Sequence, residues 1–110
     1  MMQMGLMRKA ISYVARHYER DITVQDIAGH CNINRIYLRR IFKLTLGTTL
    51  RQYIINYRIK KACDLLTEGV HSIGEISVMV GYPNQLNFSR AFKRELGISP
   101  YNWKIGRVNH

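Results

Sequence analysis

Apolar residues recur at three- and four-residue spacing over most of the chain, and no segment alternates apolar with polar positions for long, so helices are expected rather than strands. Leu6, Ala10, Ile11, Val14 and Tyr18 form one such stripe and predict an amphipathic helix over about 6–18. The opening MMQMG carries no structural signal. DITVQDIAGHC then predicts a short second helix, with Thr23 as N-cap and Asp26 three residues on, close to a capping box and favourable to the helix dipole. Asn32, a residue type that tolerates the left-handed conformation, follows it, and Asn34 caps a third helix that closes at Gly47. Thr49 caps a long fourth helix from Leu50 to about Leu66. Ser72 caps a fifth that ends at Gly81, Asn84 a sixth that reaches Gly97, and Ser99 with Pro100 opens a short seventh.

The second half of this pattern repeats the first. At an offset of 49, Thr23 falls on Ser72, Asp26 on Glu75, Ile27 on Ile76, Ala28 on Ser77 and Asn32 on Gly81. One extra residue near Pro83 makes the offset 50, and Asn34 then falls on Asn84, Arg40 on Arg90, Phe42 on Phe92, Lys43 on Lys93, Leu46 on Leu96, Gly47 on Gly97 and Tyr53 on Trp103. Caps, small residues at a close helix crossing, turn residues that accept positive φ, and core aromatics recur together in order. The fold class expected is therefore all-α: seven helices forming two helix-turn-helix subdomains, about 6–48 and 67–106, joined by a long linker helix over about 49–66.

On the third helix Ile36, Arg39, Arg40 and Lys43 fall within a sector of roughly 100°, opposite Leu38, Ile41, Phe42 and Thr45. An isoleucine among arginines does not suit an ordinary solvated face. The same sector of the sixth helix carries Leu86, Ser89, Arg90 and Lys93, with Phe88, Ala91 and Phe92 behind. Packing on a neighbouring helix would account for either apolar residue alone; recurrence in both repeats favours a surface presented to DNA. There arginine pairs with guanine O6 and N7, and an apolar side chain near the helix start meets a thymine methyl group. A linker helix of about 17 residues spans roughly 26 Å, which brings one DNA turn, about 34 Å, within reach of two successive insertions, with bending of the duplex as a consequence.

Charge points the same way. The 110 residues carry 17 Lys+Arg against 7 Asp+Glu, a net +10 and a pI near 10.1, beyond the pI of about 9 typical of nucleic-acid-binding domains. No acid occurs between Asp26 and Asp64, where Arg35, Arg39, Arg40, Lys43, Arg51, Arg58, Lys60 and Lys61 all lie. A polyanion is the natural partner.

Catalysis and metal binding find no support: there is no nucleophile motif, no Gly-rich phosphate loop and no paired carboxylates. His17, His30, His71 and His110 are scattered, and His30 beside Cys31 has no second ligand pair at metal spacing. Cys31 and Cys63 are read as buried thiols in a reducing compartment. No apolar run approaches 18 residues and no signal peptide follows the start, so a cytoplasmic protein without membrane contact is expected. The alternative function is a non-specific basic nucleic-acid-binding helical module. Sequence-specific RNA reading fits less well, because Phe42, Phe88, Phe92 and Trp103 sit at expected core positions instead of stacking on bases.

The stretches YLRRIFKLTLGTTLRQYIINYRIKKACDLL and SIGEISVMVGYPNQLNFSRAFKRELGISPYNWK closely resemble the DNA-binding region of AraC/XylS-type bacterial transcription regulators, over about Ile22 to Lys104. The resemblance implies a seven-helix domain whose third and sixth helices, about 34–45 and 84–95, read adjacent major-groove segments of a promoter. It places base-facing positions on Arg35, Ile36, Arg39 and Arg40, and on Gln85, Leu86, Asn87, Ser89 and Arg90. Lys43 and Lys93, lower on the same helices, and Asn34 and Asn84 at their starts, are the phosphate candidates. No cofactor is implied. Contact with RNA polymerase is implied, though no residue identifies that surface. Ile36 and Leu86 depart from the larger or polar side chains common at these spots, so no relative's operator can be transferred; Trp103 replaces a common tyrosine and is read as core. Most members carry an effector or dimerisation domain ahead of this region. This chain has no room for one, which leaves a stand-alone member or, as expected here, a fragment of a longer regulator.

Overall fold

The structure is a computed structural model that describes residues 2–108; Met1 of the opening stretch and His110 lie outside the described residues. Among these it contains seven α-helices and no strand: α1 (Met2–His17), α2 (Val24–Cys31), α3 (Arg35–Leu46), α4 (Leu50–Glu68), α5 (Ile73–Met79), α6 (Gln85–Leu96) and α7 (Pro100–Val108). Two compact units divide inside α4, between Ile55 and Asn56.

In the first unit α2 packs on α1 and α3. Met7, Ala10 and Val14 of α1 are buried with Ile27 and Ala28 of α2 and Leu38 and Phe42 of α3, and Tyr53 meets Phe42 edge-on at 5.5 Å between centroids. α1 starts four residues before the expected Leu6 and ends one before Tyr18. The buried stripe runs through Met7, Ala10 and Val14, so the opening residues continue a helix already anchored one turn on. Gly5 weakens that turn by only about 1 kcal/mol.

In the second unit α6 packs on α5 and α7 around Ile76, Val80, Phe88 and Phe92, all fully buried. Phe88 and Phe92 meet at 5.8 Å and Phe92 and Trp103 at 6.2 Å. Ser77 occupies the small-residue position held by Ala28 in the first unit. Its buried hydroxyl donates to the Tyr82 carbonyl, which removes the cost of an unsatisfied polar group.

The two helix-turn-helix connections share their hydrogen bonds as well as their residue types. Asn32 N–H donates to the Gly29 carbonyl and Ile33 N–H to Ala28, at 3.1 and 3.0 Å; Gly81 N–H donates to Val78 and Tyr82 N–H to Ser77, at 3.1 and 2.8 Å. Asn32 at φ 59° and Gly81 at φ 98° take the left-handed conformation that reverses the chain. α5 stops at Met79, with Val80 as C-cap, rather than at Gly81, because the tightening bonds of the turn begin before the glycine. α4 continues two residues past the expected Leu66, to Glu68, and Gly69 at φ 72° ends it. Both capping boxes are complete, Thr23 with Asp26 and Ser72 with Glu75.

The Glu75 carboxyl is held below its ordinary value of 4.5, first by the Ser72 backbone N–H it accepts at 2.9 Å and then by the Ser72 side chain. A lowered folded pKa gives stability that is present above 4.5 and lost as pH falls through the folded value. Urea denaturation between neutral pH and about pH 3 is therefore expected to show acid destabilisation that Glu75→Gln reduces, since the amide still accepts from Ser72 N–H without titrating.

Candidate nucleic-acid interface

α3 and α6 are built alike: twelve residues, an asparagine before the first turn and a left-handed glycine after the last. Asn34 Oδ1 accepts from Ile36 N–H at 2.7 Å and Asn84 Oδ1 from Asn87 N–H at 3.0 Å. These bonds satisfy amides that a helix leaves orphaned, and their carbonyl oxygens are thereby committed. Gly47 and Gly97 close the helices at φ 74° and 82°.

Burial of one side forces the other outward. Leu38, Ile41 and Phe42 of α3, and Phe88, Ala91 and Phe92 of α6, lie in the core, while Ile36 is 64% exposed and Leu86 58%. Arg35, Arg39, Arg40 and Lys43 are exposed around Ile36, as are Gln85, Asn87, Arg90 and Lys93 around Leu86. Ser89 is half-buried, so its hydroxyl is the least accessible of the expected base-facing groups. Thr45, on the core-facing side of α3, is exposed because it falls in the last turn, past Phe42. Among the described residues no ion pair involves Arg35, Arg39, Arg40, Arg90 or Lys93; the Arg94–Glu95 pair at 3.2 Å lies on the flank of α6. Lys43 differs from Lys93 in donating to the Gly47 carbonyl at 3.3 Å, an exposed bond at the negative end of the helix dipole. Tyr37 (47% exposed) and Leu44 (74%) extend the outward surface of α3 beyond Arg40. A wider helical sector would have included them.

Not every cation in the acid-free run contributes to such a surface. The Arg58 guanidinium lies over the Tyr82 ring and the Lys61 ammonium over the Tyr57 ring, each at 5.6 Å; the first contact ties α4 to the turn of the second unit and the second lies within α4. His17 and His30 both pack against Tyr13, at 4.4 and 5.1 Å. No group of three or more metal-ligating side chains occurs among the described residues. Burial pushes the Cys31 thiol up, with Lys9 opposing, which suppresses the reactive thiolate; Cys63, expected buried, is half-buried. No described helix is long and apolar enough to cross a membrane.

Residues 27–104 match the family model described as a helix-turn-helix domain. The chain is 34% identical over 99 residues to the raffinose operon transcriptional regulatory protein RafR of Pediococcus pentosaceus, covering 88% of this chain and 36% of that protein. The chain thus spans about a third of that relative's length. Among solved structures it is similar to the C-terminal domain of AraT, a response regulator from Geobacillus stearothermophilus, with a TM-score of 0.90, 34% identity and coverage of 93% of this chain and 85% of that one. A transcriptional regulator of the AraC-type DNA-binding-domain class from Chromobacterium violaceum is similar at TM-score 0.87 and 27% identity, covering 94% and 93%.

The exposure of Ile36 and Leu86 has a direct consequence for stability. Ile36→Ala and Leu86→Ala are expected to change unfolding free energy by no more than about 0.5 kcal/mol, whereas Phe42→Ala or Phe92→Ala removes about 3–5 kcal/mol, as read from denaturant midpoints.

Proposed function

Since the chain belongs to the AraC-type helix-turn-helix family of bacterial transcription regulators, which are DNA-binding proteins and not enzymes, we propose that it reads double-stranded promoter DNA sequence-specifically through α3 and α6. Each helix enters a major-groove segment, and one chain occupies two successive segments. The observation that carries this reading is the pair Ile36 and Leu86, exposed at positions related by the repeat and each set beside basic side chains that make no ion pair among the described residues.

The chemistry follows from these side chains. Arg40 and Arg90 offer paired donors to guanine O6 and N7, and Ile36 and Leu86 offer apolar contact to thymine methyl groups. Arg35 and Arg39 flank the first set; Gln85, Asn87 and Ser89 flank the second, with donors and acceptors suited to adenine or to phosphate. Lys43 and Lys93 neutralise phosphates near the helix ends. Asn34 and Asn84 reach phosphate through their amide N–H groups, because their oxygens cap the helices. The domain acts in the cytoplasm, contacts RNA polymerase, and works with a further effector or dimerisation domain, a reading supported by the greater length of its relative.

Selection of bound fragments from a random duplex pool at fixed salt tests the proposal. An enriched site, held at least about a thousandfold more tightly than random duplex, supports it, with two protected segments about one DNA turn apart in a hydroxyl-radical footprint. Equal affinity for selected and random DNA would establish the non-specific basic module instead. On the selected site, Arg40→Ala or Arg90→Ala is expected to cost about 1–3 kcal/mol and to relax preference at one base pair. Lys43→Ala or Lys93→Ala is expected to lower the salt slope by about one unit and leave base preference unchanged.

A further inference from the structure

One departure from the repeat lies outside both recognition helices and beside the interface. Position 74, in the first turn of α5, is glycine, whereas its counterpart in α2 is Gln25. Glycine weakens a helix relative to alanine, so a helical glycine invites a packing explanation. At Gly5, Gly29 and Gly106 a Cβ would meet nothing within 4 Å. At Gly74 it would stand 2.9 Å from Gln85 Oε1 and 3.9 Å from Gln85 Cδ. The end of the Gln85 side chain occupies the space that any other residue at position 74 would fill. Gln85 is the first residue of α6 and lines, with Ser72, Ile73, Gly74, Tyr101 and Lys104, a groove of about 560 Å³ in the second unit.

With Oε1 turned against Gly74, Gln85 reads through its Nε2–H donors, which suit a major-groove acceptor such as guanine O6 or N7, and a flexible side chain loses affinity in adopting one orientation. We propose that Gly74 is a positioning residue for DNA recognition: the missing Cβ seats the Gln85 carboxamide against α5, and this seat sets the base preference at the pair Gln85 reads. Gly74 itself need not touch DNA. The inference rests on the proposed function and adds to it a residue outside both recognition helices. Because the obstructed atom is the far end of a flexible side chain, an alanine at position 74 displaces Gln85 and leaves the helix in place.

The test compares the wild type, Gly74→Ala, Gln85→Ala and the double variant in duplex selections at one salt concentration. Gly74→Ala is expected to flatten preference at one base pair by about fivefold or more, to leave the pairs read by α3 and the salt slope unchanged, and to melt at the same temperature as the wild type or higher. Gln85→Ala is expected to flatten the same pair, and adding Gly74→Ala to it to change nothing further. In the DNA-free chain, the Gln85 side-chain NH2 resonances are expected to move towards free-glutamine positions in Gly74→Ala. Unaltered preference in Gly74→Ala, an undiminished effect in the Gln85→Ala background, or unmoved Gln85 resonances each overturn the seat while the proposed function stands. A wild type that enriches no sequence overturns both, and the resonances then report only on packing.

Discussion

The left-handed residue in each turn is the constraint on which the recognition surfaces depend. Asn32 and Gly81 reverse the chain within a few residues, and the paired bonds to the carbonyls three and five positions back fix the direction in which the next helix leaves. Both residue types accept that backbone at small cost, glycine through its lack of Cβ and asparagine through its short polar side chain. Were the turn looser, α3 and α6 could roll about their axes. A roll of one residue, about 100°, would carry Ile36 or Leu86 towards the core and an arginine out of the exposed sector.

Core chemistry enforces the same orientation from the other side. Phe42 and Phe92 are fully buried, each edge-on to a ring from the helix that follows, Tyr53 or Trp103. Ala28 and Ser77 are small enough to let the first helix of each pair approach closely, and the one hydroxyl this admits is satisfied within the turn. With three core-facing positions locked on each helix, the outward residues have no alternative placement. The exposed isoleucine and leucine follow from the register of the buried residues and are not packing faults.

The positive charge divides into two populations with different physical roles. Arg58 lies over the Tyr82 ring and supports the second unit, and Lys61 lies over Tyr57 one turn away on α4. Arg39, Arg40, Arg90 and Lys93 are exposed without ion pairs among the described residues, which leaves their donors available to a polyanion. Seven acids against seventeen bases make this possible. Those acids with a clear structural task, Asp26 and Glu75, cap helices instead of neutralising the basic sectors.

Much was legible in the residues alone: the helices, their caps, the two-fold repeat and the sector that excludes the core, because each follows from local hydrogen bonding and a period of about 3.6 residues. Boundaries that depend on packing were not. α1 extends to Met2 because Met7 is buried, α4 runs to Glu68, and α5 stops at Met79 because the turn tightens before Gly81. The acid-free run looked uniform until Tyr82, from a distant turn, claimed Arg58, and the seat of Gln85 over Gly74 joins residues eleven positions apart on two helices. The sequence by itself determined which face of each recognition helix is apolar and where the capped helices begin, since those are properties of single segments. Only the tertiary structure decided that Tyr82 claims Arg58 and which side chain fills the space above a glycine, since both depend on what a second segment brings alongside.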